Sequence, residues 1–316
     1  MTVKTDRLVT LFGGGGFIGR YVAQQLFAAG ARVRIAEREP LGAFRLRPLA
    51  GLGQIQFVAA DVTRPEQVAA AVDGAEAVVN LVGVFKGDLE AVHVGGPRHI
   101  GAAAAAAGAR AVVHVSALGA DPDAASEYGR TKSEGELALR VAFPGATIVR
   151  PSIVFGMEDD FVNRFARMAR LLPVVPVLRG GWRLAPVHAA DLGKAIAAAA
   201  LDPRTHGGRT YELAGPQIIS MREVNRWICR ATGRGARPVI EIPDAVGRLI
   251  ARLTGWLPGA PISWDQWLML QRDSVPGGEC PGFEAFGIRP APLAAVAEGW
   301  LPSYRRRGRW AKPPPG

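Results

Sequence analysis

Tyr128 and Lys132 stand four residues apart in Tyr128-Gly129-Arg130-Thr131-Lys132. On a helix that spacing puts both side chains on one face. A lysine ammonium placed there lowers the pKa of the phenol and can hydrogen-bond a nicotinamide ribose, so the phenol becomes a usable general acid or base. Alone the pair is a weak signal; it gains weight when a nucleotide site precedes it in the chain. Phe12-Gly13-Gly14-Gly15-Gly16-Phe17-Ile18-Gly19 offers one. Gly13, Gly16 and Gly19 have GxxGxxG spacing, directly after a strand-like run and at the start of an amphipathic stretch. A turn without Cβ atoms lets backbone N–H groups approach a pyrophosphate at the positive helix end, with Phe17, Ile18 and Arg20 carried on that first turn. Without the flanking strand and helix, the same run would be only a flexible glycine turn.

The ends of the following strands complete such a site. Glu37 lies 18 residues beyond Gly19, where an acid accepts from a ribose 2′-OH, and Arg38 follows it, where an arginine pairs with a 2′-phosphate. Arg20 adds positive charge, and two arginines against one acid favour NADPH, with NAD as the alternative. Asp61, beside Val62, stands where such folds hold the adenine amino group; a local helix cap is the other reading. Asn80-Leu81-Val82-Gly83 ends the fourth strand, where backbone and a small residue would flank the cofactor, and Val115 ends the fifth.

These residues require a regular scaffold. Apolar runs at Leu8–Phe12, Ala31–Ala36, Ile55–Ala60, Ala77–Val82 and Ala111–Val115 alternate with helix-like stretches at 65–72, 89–107 and 133–142. The runs are Val- and Ile-rich without polar alternation, as in buried parallel strands. The expected fold is therefore α/β, a Rossmann-like doubly wound parallel sheet. It spans 1–155 and is completed by about 185–215. A smaller C-terminal lobe takes 156–184 and 216–300, and a basic flexible tail 301–316. Ser220 and Glu223 have capping-box spacing ahead of a helix. Trp256, Trp264 and Trp267 are expected to pack the small lobe.

Composition bounds the rest. Of 316 residues 48% are hydrophobic and 21% charged, enough apolar material for a core and no case for global disorder. No apolar run approaches the roughly 20 residues that cross a bilayer. A first strand near Leu8 leaves no room for a targeting peptide, and the expectation is a reducing cytoplasm. Cys229 and Cys280 cannot build a disulfide framework, and the five histidines have no metal-ligand spacing. Arg305, Arg306, Arg307, Arg309 and Lys312 supply half of the net charge of +10, with no acid after Leu301. That tail reads as an arm for anionic lipid headgroups or an acidic partner, or else as a solvated tail. No interleaved basic and aromatic stripe supports nucleic-acid binding.

The order of these motifs resembles the extended short-chain dehydrogenase/reductase superfamily. The resemblance covers nearly the whole chain, including Arg150-Pro151-Ser152-Ile153-Val154-Phe155-Gly156, which it implies borders the nicotinamide through Pro151, Ser152 and Ile153. It also covers Val187-His188-Ala189-Ala190-Asp191-Leu192, where Asp191 is expected to cap a helix and His188 to pack in the core. Active members also supply a serine or threonine that polarises the substrate carbonyl. Here His114-Val115-Ser116-Ala117-Leu118 puts Ala117 at that place, and Ser116 one residue early on the opposite strand face. A missing donor of this kind costs roughly 10²–10³ in rate.

Four further segments resemble the subunit-nine family of the alpha subcomplex of NADH:ubiquinone oxidoreductase (respiratory complex I). They are 44–49, 51–54, 143–146 and 155–163, with Glu158-Asp159-Asp160-Phe161-Val162-Asn163 the most specific. That family implies tightly held NADPH of mainly structural use and complex I core subunits as partners. It also implies a basic surface at the membrane junction, which gives Arg305–Arg309 a purpose. An excess of arginine over lysine and no targeting peptide point to a bacterial homologue, peripheral to the cytoplasmic face of the inner membrane. Active NADP-dependent reduction or nucleotide-sugar epimerisation through Tyr128 and Lys132 is the alternative.

Overall fold

The computed structural model describes residues 7–257, 259–305 and 308. In chain order it runs β1 (Leu8–Phe12), α1 (Phe17–Ala28), β2 (Arg32–Glu37), β3 (Ile55–Ala59), α2 (Pro65–Val72), β4 (Ala77–Asn80) and α3 (Gly96–Ala106). Then come β5 (Ala111–Val115), α4 (Glu127–Ala142), β6 (Thr147–Pro151), β7 (Val154–Phe155), α5 (Phe161–Leu171), β8 (Val175–Leu178), β9 (Arg183–Leu184) and β10 (Val187–His188). The last are α6 (Ala189–Leu201), α7 (Pro203–His206), β11 (Thr210–Leu213), β12 (Ile219–Ser220), α8 (Met221–Ala231), β13 (Val239–Ile242), α9 (Asp244–Thr254), α10 (Trp264–Met269) and α11 (Leu293–Ala297).

Two compact units divide the chain. The first comprises Met1–Pro151, Ala189–Leu213 and Gly277–Arg289; the second comprises Ser152–His188, Ala214–Pro276 and Pro290–Gly316. In the first, seven strands form one sheet in the order β11-β6-β5-β4-β1-β2-β3, every neighbouring pair parallel. Strand residues alternate between faces. Phe12, Val78, Val112 and Ile148 pack with Val68 of α2, Ile100 of α3 and Leu139 of α4 on one face. Val9, Leu11, Val79 and Val113 are buried on the other, where α1 and α6 pack together. The order reverses between β1 and β4, the switch point at which open sheets of this kind leave a crevice.

The division differs from the sequence expectation at Gly277–Arg289, which lies in the first unit. Gly277 N–H donates to Glu212 Oε2 at 2.7 Å, and Glu212 N–H to the Pro281 carbonyl at 3.1 Å. Phe286 stacks on His206, 4.4 Å between ring centroids. This returning segment covers the free edge of β11.

In the second unit β8 pairs in parallel with β13, and α5 and α8 enclose a core that includes Phe155, Val175, Trp182, Ile228 and Trp300. Ser220 and Glu223 form the expected capping box on α8. The specific 158–163 segment has two polar pins. Buried Asp159 accepts from Gly156 N–H at 2.9 Å and Val162 N–H at 2.6 Å, tying β7 to the start of α5. Asn163 donates to the carbonyls of Met157 and Asp159, and its Oδ1 accepts from Trp300 Nε1 at 3.2 Å and the Tyr304 hydroxyl at 3.0 Å. The expected tail is consequently shortened: Leu301–Tyr304 is a 3-10 turn with Leu301 fully buried, and Arg305 donates to the Ala231 carbonyl. Arg306, Arg307 and Arg309 lie outside the described residues.

Asn163→Ala removes the partner of the buried Trp300 N–H and of the half-buried Tyr304 hydroxyl, and the side-chain donor to two carbonyls. We expect a loss of about 3 kcal/mol in urea unfolding, with faster tryptic cleavage after Arg305. Unchanged cleavage would mean the pin does not hold the C-terminal segment.

Candidate functional site

The glycine turn sits at the switch point. Gly13 has φ +75°, which favours glycine, and a Cβ there would lie 3.2 Å from Leu81 C and Val82 N. The backbone of the turn and the Leu81–Gly83 segment therefore approach each other directly. Asn80, buried at the end of β4, fixes that segment by accepting from Val82 N–H at 3.1 Å. Helix α1 begins at Gly16 with no side-chain cap and no acid in its first turn. Its N-terminal N–H groups thus keep their capacity for an anion, and the turn leaves no Cβ in the way. A pyrophosphate fits this cradle.

At the ribose end Glu37 turns inward. Gly15 N–H donates to Glu37 Oε1 at 2.5 Å, while Arg45 Nη2 donates to the Gly15 carbonyl at 2.6 Å, so the peptides on both sides of Gly15 are held. Burial pushes the Glu37 carboxyl up, opposed by the Gly15 N–H and by the charges of Arg38 and Arg45. Asp61 Oδ1 accepts from the Thr63 N–H at 2.9 Å and hydroxyl at 2.8 Å, which hold its carboxyl below the usual range. It thus closes a local turn rather than capping α2, whose N-cap is Arg64. The Val62 carbonyl accepts from His99 Nδ1 at 2.9 Å.

Helix α4 starts six residues earlier than the sequence pattern indicates, because Ser126 Oγ caps it through Gly129 N–H at 3.1 Å. Tyr128 and Lys132 are both on it. Lys132 is buried and donates to the Val115 carbonyl at 2.8 Å; burial lowers its pKa to about 8, with Glu136 opposing. Burial also pushes the Tyr128 phenol up to about 12. Phe85 stacks on the Tyr128 ring, centroids 4.8 Å apart and planes at 17°.

His93 meets the same ring edge-on at 5.3 Å. Its Nε2 accepts from Val84 N–H at 3.0 Å, which assigns the single ring proton to Nδ1, 3.0 Å from Thr131 Oγ1. The Thr131 hydroxyl then donates to the Glu127 carbonyl. His93 so ties the Val84 loop to α4, and burial together with Lys132 lowers its pKa to about 4. Behind it, His114 Nδ1 accepts from Asn80 Nδ2 at 3.1 Å, while His114 Nε2 and Ser116 Oγ are buried without a protein partner. Ser116 shares the strand face of His114, two residues on, and Ala117 is partly exposed beyond it.

The first unit thus brings together the residues of the turn, Glu37, Arg38, Leu81–Gly83, Val115, Tyr128 and Lys132. Pro151 ends β6, its carbonyl accepting from Leu118 N–H at 3.0 Å. Ser152 and Ile153 open the second unit. There Ser152 Oγ donates to the Ser274 carbonyl at 2.7 Å, and Ile153 packs against the core. Sequence reasoning missed Phe85, His93 and Thr131 as site-forming groups. His93 and Thr131 are separated by 38 residues and carry no local pattern.

A glycine turn at the switch point of a parallel sheet, followed by a Tyr and Lys one helical turn apart, defines an extended short-chain dehydrogenase/reductase with an NAD(P)-binding domain. Residues 13–154 match the NAD(P)H-binding family model, and residues 119–245 match the RmlD substrate binding domain. The alpha subcomplex subunit 9 of mitochondrial NADH dehydrogenase (ubiquinone) 1 from Rattus norvegicus is 34% identical, over 90% of this chain and 77% of that protein. The mitochondrial NADH-ubiquinone oxidoreductase 40 kDa subunit of Neurospora crassa is 30% identical, over 96% and 81%. A ceramide reductase of Caulobacter vibrioides is 32% identical, over 63% and 62%. Among solved structures, the dTDP-glucose 4,6-dehydratase of Streptomyces venezuelae with NAD bound shares the fold at TM-score 0.72 and 20% identity, over 97% and 99%. An Escherichia coli NADPH-dependent quinone oxidoreductase with NADPH bound does so at 0.71 and 20%, over 92% and 98%. The chain belongs to the family of complex I alpha-subcomplex subunit 9 proteins.

Gly16→Ala tests the cradle. A Cβ at Gly16 meets only the Gly13 carbonyl, at 3.2 Å, so the fold should tolerate it while dinucleotide affinity drops by about tenfold or more. Equal affinity by calorimetry would place the pyrophosphate elsewhere. His93 gives a pH test. Its folded pKa lies below the ordinary value near 6.5, so as pH falls the unfolded chain takes up the proton first. Its stabilisation is full above about pH 6.5 and drains toward pH 4, by on the order of 3 kcal/mol. His93→Gln should flatten the pH 7 to 5 slope of urea-unfolding stability relative to wild type; parallel slopes would refute this assignment.

Proposed function

We propose that this protein holds NADPH as a structural cofactor and serves as an accessory or assembly component of respiratory complex I. In a bacterial cell it would be peripheral to the cytoplasmic face of the inner membrane. The observation that carries the reading is the face-on stack of Phe85 over the Tyr128 ring. It packs one face of the Tyr128 ring against an aromatic neighbour, and by the superfamily resemblance Ala117 stands where active members carry a hydroxyl donor. Burial reinforces this by making the phenol a weak acid.

The residues divide the work. Backbone N–H groups at the start of α1 would receive the pyrophosphate, and Lys132 would supply a donor to the nicotinamide ribose. A bound nicotinamide can exchange hydride, but this chain provides retention in place of substrate activation. NADPH is favoured over NADH because Glu37 is already satisfied by Gly15 N–H, while Arg38 and Arg45 lie close enough to act on its charge. A 2′-phosphate would then meet a surplus of positive charge. The mitochondrial relatives named as complex I subunits supply the partner class.

A second reading is favoured by the intact Tyr128 and Lys132 pair and by the ceramide reductase relative. Tyr128 would be the acid/base and Lys132 the ribose anchor of an NADP-dependent oxidoreductase or, on the sheet architecture alone, an epimerase.

Mass spectrometry of freshly purified protein should find NADPH, with no oxidation by small carbonyls. Stripping the nucleotide should lower Tm by about 5 °C, the mass-action effect of a ligand near a hundredfold over its Kd. Enzyme-like NADPH oxidation that Tyr128→Phe abolishes would select the second reading, and calorimetry favouring NADH would overturn the choice of nucleotide.

A further inference from the structure

Helix α9 is amphipathic in the inverted sense. Its buried face is made of small residues, Gly247 and Ala251; a Cβ on Gly247 would come within 2.5 Å of Leu178, so this face lies close against the second unit. Its large apolar residues face outward: Val246, Leu249 and Leu253 are 46%, 56% and 60% exposed, and lie at i, i+3 and i+7 on one stripe. Trp256 extends the stripe at 76% exposure, with its indole N–H turned back onto the Leu253 carbonyl at 2.9 Å. The polar atom of that ring is satisfied within the helix end, and the ring surface offered outward is apolar. The sequence expectation that Trp256 and Trp264 pack the small lobe is therefore corrected. Only Trp267 is buried, and Trp264 stacks on it while 40% exposed.

The charges beside this stripe have one sign. Arg248 and Arg252 are exposed between the apolar stripe and the buried face. The acid at the helix start, Asp244, is within 3.3 Å of the Arg179 guanidinium. We propose that α9, with Trp256 and Trp264, is an in-plane membrane anchor whose apolar stripe enters the interfacial layer of an anionic bilayer while Arg248 and Arg252 meet the headgroups. An exposed stripe of Leu and Val, a Trp at its end and flanking arginines are the features of interfacial helices. A patch of this kind on a water-soluble surface is otherwise covered by a partner. Positive flanks favour anionic lipid over a second copy of the same helix, which would bring like charges together. The inference gives a physical means to the membrane-peripheral placement proposed above, and it is independent of which nucleotide is held.

The test uses the full-length protein as purified, with its nucleotide. It is mixed with vesicles of phosphatidylcholine alone or with phosphatidylglycerol added. Cosedimentation should occur with the anionic vesicles and weaken as salt rises. Lipids brominated near the glycerol backbone should quench tryptophan fluorescence, a readout that needs no variant. Leu249→Ser with Leu253→Ser should lower partitioning by about tenfold while nucleotide retention is unchanged. Arg248→Glu with Arg252→Glu should lower binding to anionic vesicles in the same way and remove its salt dependence. Vesicle binding equal to wild type in both double variants would overturn the proposal. So would a wild-type protein that stays off vesicles and sediments as a dimer that the leucine variant dissociates, which would make the stripe a self-association face. A wild-type protein that retains NADPH but does not bind anionic vesicles would sink this inference alone, and a wild-type protein that binds vesicles but holds no NADPH would sink only the cofactor reading.

Discussion

The constraint on which the first unit depends is the uncapped start of α1, whose free amide groups favour negative charge. A helix N-terminus without a side-chain cap leaves donors exposed, and here the chain supplies neither a serine-type cap nor an acid in the first turn. The rest of the crevice is arranged to keep that opening rigid. Gly13 brings the turn against the backbone after β4, Asn80 pins Val82 from below, and Gly15 is held by Glu37 on its N–H and by Arg45 on its carbonyl. Pre-organisation of this sort removes ordering cost from the binding step, so affinity is gained without extra contacts.

Beneath the opening lies a polar layer in which burial is the largest influence on every titratable group, and the Lys132 charge adds to it at both histidines. His93 and His114 are pushed down, Lys132 is lowered to about 8, and Tyr128 is raised to about 12, so each group is driven toward its neutral form. Only Glu136 works against this for Lys132, and its own carboxylate is engaged by Arg150 through two bonds of 2.9 and 2.7 Å. A catalytic phenol works best when its pKa lies near the operating pH. The layer here moves the phenol away from it, in keeping with the retention proposed above.

How much of this was legible before the fold was known depended on sequence distance. The glycine turn, the Tyr128–Lys132 pair and the Ser220–Glu223 cap are local patterns, and each reports a single element with a fixed period. The strand runs gave the parallel sheet for the same reason. Phe85 over Tyr128, His93 bonded to Thr131, and Asn163 holding Trp300 at a separation of 137 residues have no period to read. They arise only when the topology brings loops together. The return of Gly277–Arg289 to the edge of β11 was hidden likewise, because its anchors are two backbone hydrogen bonds and a stacked ring rather than an apolar strand pattern.

Trp256 and Trp264 of the second unit show a different failure. An apolar residue in a Pro- and Gly-rich stretch reads as core, since burial is the commonest fate of large side chains. In α9 that rule is defeated by Gly247 and Ala251, which let the helix approach its neighbours so closely that the large residues have no place underneath. The small residues decide which face is inside, and the leucines and Trp256 take what is left. A chain under selection only for solubility would fill the outer face with lysine and glutamate. Retaining an apolar stripe there, with positive charge beside it, is explicable by a surface outside the chain that is itself apolar below and anionic above.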